Sequence, residues 1–166
     1  MPQTGDMRVQ LKLVLHCAPD AAWEAIRSPE VFREVSSPVL SYEPIGADAF
    51  PDRWPAGERT IGVSLFSGLV PLGEQTLDLS FREVRDVRIV TDDGGPVSGP
   101  LTAITRWRHR MAVAPGPDGS TLYRDRLEFS AGLLTIPVWF GLWWFWQRRG
   151  RRLVKLAPGF GKRFHP

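Results

Sequence analysis

The chain has 166 residues, 43% of them hydrophobic and 23% charged, with a single cysteine. This excludes wholesale disorder and a disulfide scaffold, and it suits one domain, 1–166, able to bury about 70% of its unfolded surface. The formal net charge is +3, yet the seven positive side chains from Arg148 onward have no acidic neighbour after Glu128, so the rest carries 14 basic and 18 acidic groups, a net of −4. A cationic end on a mildly acidic body suits an anionic partner such as a membrane surface, nucleic acid or an acidic protein. It equally suits a solvated helix end, where cations meet the negative pole of the helix dipole. Asp6 sits early, and Gln10 and Lys12 break the apolar stretch from Val9 to Leu15. That argues against a cleaved leader, so a reduced, cytoplasmic setting is expected.

Residues 8–17 alternate, with Val9, Leu11, Leu13, Leu15 and Cys17 on one face and Arg8, Gln10, Lys12 and His16 on the other. This is a half-buried strand, with His16 outside. Pro19 and Asp20 open a helix that places Trp23 and Ile26 on one side. A second helix follows from Ser28 as N-cap and Pro29, with Val31, Phe32 and Val35 as its apolar side. Six more strands are expected, at 38–46, 58–67, 74–84, 86–92, 102–114 and 119–130, separated by loops rich in Gly, Pro and Asp. Phe50, Trp54, Leu69, Val70 and Leu72 are apolar residues in those loops, suited to a cavity rim or to ordinary loop packing.

The last two strands carry the most information. Trp107, His109, Met111 and Val113 share one face, and Tyr123, Asp125, Leu127 and Phe129 share another. Arg106, Arg108, Arg110, Arg124, Arg126 and Glu128 point the opposite way. The short link PGPDG implies a hairpin. Pairing Ala114 with Ser120 would set Met111 against Tyr123, His109 against Asp125, Trp107 against Leu127 and Arg106 near Glu128. A nucleic-acid-binding sheet would interleave aromatics with its cations, but Trp107 and Tyr123 have the opposite parity, so the Arg strip reads as a solvated face.

Thr135 to Ala157 reads as one long helix, capped by Thr135 and ended by Pro158-Gly159, with a basic tail over 158–166. Ile136, Trp139, Phe140, Trp143 and Val154 form one side, suited to face the sheet. Val138, Leu142 and Phe145 form the opposite side, which turns cationic at Arg149, Arg152 and Lys155. A helix that is apolar all round needs a second neighbour. No charge falls between Phe129 and Trp146, but the helical part of that run is too short to span a bilayer. Peripheral docking on anionic lipid and a homodimer interface are the competing expectations.

The order strand, two helices, six strands, long helix resembles the START/SRPBCC superfamily, the helix-grip fold of the birch-pollen allergen type. The stretch LHCAPDAAWEAIRSPEVF is similar to that family's first strand, its Trp-centred helix and its S-P-E helix. The resemblance spans about 8–157. It implies an α+β domain in which a curved seven-stranded antiparallel sheet wraps a long C-terminal helix around a largely apolar cavity. It further implies hydrophobic small-molecule binding, lipid-like or polyketide-like, and in some members aromatase or cyclase activity. The expected wall is Trp107, Met111, Tyr123, Leu127, Phe129, Phe81, Leu79, Val63, Trp54, Phe140 and Trp143.

No dinucleotide, Walker A, H-E-x-x-H, C-x-x-C or G-x-S-x-G motif is present, and the histidines are scattered at 16, 109 and 165. No metal or other cofactor is expected. His109 and Asp125 are the candidate acid–base pair, since a carboxylate beside an imidazole orients it and favours its charged form. The alternatives are therefore a binding module, a cyclase or aromatase using His109 and Asp125, and a membrane-peripheral or dimeric adaptor acting through the Trp- and Arg-rich helix.

Overall fold

The structure is a computed structural model and describes residues 6–164, so His165 lies outside the described residues. Period-two alternation builds β1 (Met7–Leu15), burying Val9, Leu11 and Leu15 and exposing Arg8, Gln10 and Lys12; His16, just beyond, is exposed too. In α1 (Pro19–Ile26) the buried side is Ala21, Ala22, Ala25 and Ile26, small residues that seat the helix close to its neighbours. In α2 (Pro29–Ser36) the Ser28 hydroxyl accepts the Val31 N–H at 3.3 Å, the N-cap expected there.

The remaining strands are β2 (Leu40–Pro44), β3 (Gly57–Leu65), β4 (Val70–Val84), β5 (Val87–Asp92), the two-residue β6 (Gly95–Pro96), β7 (Arg106–Pro115) and β8 (Thr121–Ser130). They form one antiparallel sheet in the order β1-β8-β7-β5-β4-β3-β2, with β6 paired on β4. A sheet with one apolar face needs a cover, and α3 (Thr135–Leu156) supplies much of it. The Ser67–Gly73 segment, expected as a loop, is mostly strand, because β4 starts at Val70 after a tight turn through Phe66, Ser67 and Gly68 at positive φ.

Four expectations are corrected. In the last hairpin Ala114 pairs with Leu122, His109 with Leu127, Met111 with Asp125 and Trp107 with Phe129, two residues from the expected register. The loop is longer than a minimal turn: the Gly116 N–H donates to the Ser120 carbonyl at 2.8 Å, and Asp118 and Gly119 sit at φ 53° and 74°. A slip of two preserves which face each side chain takes. Arg106 accordingly pairs with Asp6 rather than lying near Glu128, which instead takes Arg8, Arg110 and Arg126.

The long helix is rotated from the expected phase by about a third of a turn, so that of the expected side only Trp139 and Val154 pack on the core. Phe145, Trp146, Arg149, Gly150 and Leu153 are buried, while Ile136, Phe140, Trp143 and Trp144 are exposed. A Cβ at Gly150 would lie 2.9 Å from Leu11 Cδ1, so the side of the helix that approaches β1 is the side that carries the glycine. Thr135 is the first helical residue rather than the cap; its hydroxyl accepts the Ala131 N–H at 2.9 Å and donates to the Gly132 carbonyl at 2.7 Å. The expected tail is folded as far as it is described. Phe160 in α4 (Phe160–Phe164) is buried, and Arg163 pairs with Glu30 and Glu34 of α2, both at 2.9 Å.

Candidate functional site

Three neighbouring strands aim polar side chains at the helix. β8 presents Tyr123 and Asp125, β7 presents His109, and β5 presents Asp92, all buried. Asp125 is the centre. His109 Nε2 lies 2.7 Å from its Oδ1, Trp146 Nε1 of α3 donates to the same oxygen at 2.9 Å, and the Tyr123 hydroxyl donates to Oδ2 at 2.8 Å. His109 and Asp125 thus meet diagonally, Asp125 standing two residues along β8 from the direct partner of His109, within reach of long side chains.

Burial pushes the Asp125 carboxyl up, but the His109 charge and hydrogen bond, the Arg149 charge and the Trp146 N–H outweigh it and hold the group well below the usual carboxylate range. Burial, with Asp125 alongside, pushes the Tyr123 hydroxyl well above its ordinary value and keeps it a donor. Asp92 goes the other way from Asp125. Burial raises it despite the Asp78 and Gly94 N–H groups at 2.9 and 3.0 Å, the nearby His109 and Trp107 Nε1 at 3.2 Å.

Arg149 completes the cluster from α3. It is 8% exposed, with its guanidinium carbon 5.3 Å from the Trp146 ring centroid and 5.7 Å from that of Phe32. Its one hydrogen bond among the described residues runs from Nη2 to Met111 Sδ at 3.8 Å.

The polar cluster borders two small voids rather than the open cavity that the resemblance implied. One, about 20 Å³, is walled by Leu11, Val31, Val35, Tyr123, Asp125, Arg149 and Leu153. The other, about 30 Å³, is walled by Trp54, Leu77, Leu79, Phe81, Val90, Asp92 and His109. Each has room for about one water molecule. Ile26, Phe32 and Met111 belong to both walls and form the partition between them.

Of the expected wall, Met111, Tyr123, Leu79, Phe81 and Trp54 line a void, together with His109 and Asp125. Leu127 and Phe129 are buried in a separate cluster with Val9, Leu11, Phe145 and Trp146; Trp107 packs on that cluster, and Val63 lies in the main core. Phe140 and Trp143 are 61% and 44% exposed and lie outside the site, since the rotated helix buries Trp146, Arg149 and Leu153 instead. The sequence expectation does not include Arg149, Trp146, Phe32 or Asp92. Asp92 had an available signal, being the next inward position after Val90 on an alternating strand, and Phe32 was legible only as part of the apolar side of α2.

No protein-family model matches the chain, and no curated protein matches it. Solved structures share its architecture. Norcoclaurine synthase of Thalictrum flavum, in complex with dopamine and hydroxybenzaldehyde, matches with a TM-score of 0.62 at 14% identity over 93% of this chain and 87% of that one. A hypothetical protein of Helicobacter pylori matches with a TM-score of 0.67 at 10% identity over 95% and 91%. A protein of Chromobacterium violaceum matches with 0.58 at 14% identity over 90% and 96%. Identities this low speak for architecture alone, and the architecture is an α+β sheet gripping a long C-terminal helix. That is the helix-grip arrangement that the sequence resemblance implied.

Proposed function

We propose that the protein binds an apolar small molecule, with a polar end, between the sheet and α3. The observation that carries this reading is the buried Asp125 ringed by three donors and opening on one void, with its partner His109 lining the other, both voids being walled mainly by apolar side chains. Such convergent polar groups in an apolar enclosure orient a ligand, and burial of its apolar surface supplies the driving force, about 25 cal/mol per Å² before ordering costs. Anything larger than water needs the partition to move. Met111, unbranched and flexible, is the natural moving part.

The test is native mass spectrometry of the purified protein, followed by melting with 2-naphthalenemethanol and decanol. A bound ligand at about a hundredfold its Kd adds about 2.7 kcal/mol, a rise of about 5–10 °C for a chain of this size. No bound molecule and no shift with either probe would sink the reading. The same dyad suits a cyclase or aromatase-like proton transfer to a bound ketone or phenol. His109→Ala would then abolish turnover and leave affinity largely intact, whereas equal loss of both marks a binding role.

A second reading, compatible with the first, is supported by the outer face of α3: that this face docks on an anionic bilayer. Ile136, Phe140 and Trp144 are exposed in one stripe, which Arg151 and Lys155 continue two turns later. Apolar and aromatic side chains followed by cations match an interfacial helix on acidic lipid. Among the described residues no helix is long and apolar enough to cross a membrane. Sedimentation with phosphatidylserine-containing vesicles is expected to carry the protein down in low salt and to release much of it in high salt. Self-association without vesicle binding would assign the stripe to a second copy instead.

A further inference from the structure

We infer that Arg149 is a recognition point for the carboxylate of an apolar monocarboxylic acid, which specifies the ligand class of the cavity proposed above and rests on that reading. Arg149 is over nine-tenths buried and lines the smaller void beside Met111, Tyr123 and Asp125. A guanidinium carries five N–H donors and stays charged. Here the one described acceptor is a thioether sulfur, a weak one, and among the described residues no carboxylate lies within 4.0 Å of it.

The nearest candidate for a partner is already occupied. Asp125 accepts from His109 and Trp146 on one oxygen and from Tyr123 on the other, and it acts on Arg149 through charge without a hydrogen bond. The Trp146 and Phe32 rings stabilise the cation through their faces, and Arg149 itself lines the void. A buried charge without hydrogen-bond partners is expensive, and a carboxylate answers a guanidinium with two parallel N–H···O bonds. A neutral alcohol or a hydrocarbon leaves that fork unmet. The acid's apolar body then extends past Met111 toward Leu79 and Phe81 in the second void.

The experiment compares 2-naphthoate with 2-naphthalenemethanol, the same ring system with and without the charge, by titration calorimetry on the full chain. The native protein is expected to favour the acid by about tenfold or more. In Arg149→Met that preference disappears, the ratio of acid to alcohol affinity falling to about one, and in Arg149→Lys, which keeps the charge but not the fork, part of it survives. Melting curves identify any variant that fails to fold, and Arg149→Lys keeps the comparison available if Arg149→Met does. Equal or weaker binding of the acid by the native protein, or an acid preference that outlives Arg149→Met, overturns the Arg149 assignment and leaves the cavity reading standing. Binding of neither compound overturns the cavity reading, and this inference with it.

Discussion

Asp125 gathers more of the site than any other side chain, and its environment fixes what removing its charge will do. Asp125→Asn keeps the shape but turns one acceptor into a donor facing His109, Trp146 or Tyr123, and strips Arg149 of its compensating charge. The expected loss is about 3 kcal/mol at neutral pH, the range for breaking a buried pair. The folded carboxyl is depressed, so its contribution is present above the ordinary aspartate value, about 3.9, and is lost as pH falls through the lowered folded value. Asp92 has the opposite sign: its raised carboxyl favours folding below the ordinary value, and that benefit is lost as pH rises through the raised one. Urea midpoints measured from pH 7 downward should therefore show native protein and Asp125→Asn converging below about pH 4. A constant gap down to pH 2 would mean that the carboxylate charge is not what the cluster needs. Inward alternation on two strands made His109 and Asp125 legible together, and the two-residue slip left them in contact because parity survives it. Arg149 was not legible, since a basic residue in the cationic half of a helix reads as solvated unless the helix phase is known.

That phase is decided at the level of α3 and its neighbours. Hydrophobicity cannot choose a face on a helix that is apolar on both: Ile136, Phe140 and Trp143 make as good a stripe as Val138, Leu142 and Phe145. Close approach chooses instead. Gly150 sits directly against Leu11 and Leu13 of β1, and Trp146 one turn earlier reaches Asp125 with its indole N–H. Together they turn Arg149 inward and leave the larger aromatic stripe outside. The strands behaved differently. Each buries one face of a period-two pattern, so their inward sets follow from alternation alone, whereas their ends depend on turn chemistry such as the tight turn before Val70. α4 was hidden by Pro158-Gly159, which reads as a terminator. The pairs from Arg163 to Glu30 and Glu34 depend on a contact between distant parts of the chain.

Order of elements made the helix-grip arrangement readable, but the volume inside it depends on how side chains from five or six elements interlock, and no periodicity encodes that. Phe32 from α2, Ile26 from α1 and Met111 from β7 meet in the middle of the domain and divide what would be one chamber into voids of about 20 and 30 Å³. Met111 is the partition member least tied to its place: it is bonded to the cluster only through its sulfur and has three rotatable bonds. Met111→Ala should merge the voids at a stability cost of about 2–5 kcal/mol, the usual price of a large-to-small core change. Because the moving partition is then gone, 2-naphthoate should associate several-fold faster with the variant than with the native protein in stopped-flow mixing, provided that access through Met111 limits binding. Unchanged association with the expected stability loss would show that the route into the domain lies elsewhere, with Phe32 and the exposed edge of α2 as the remaining way in.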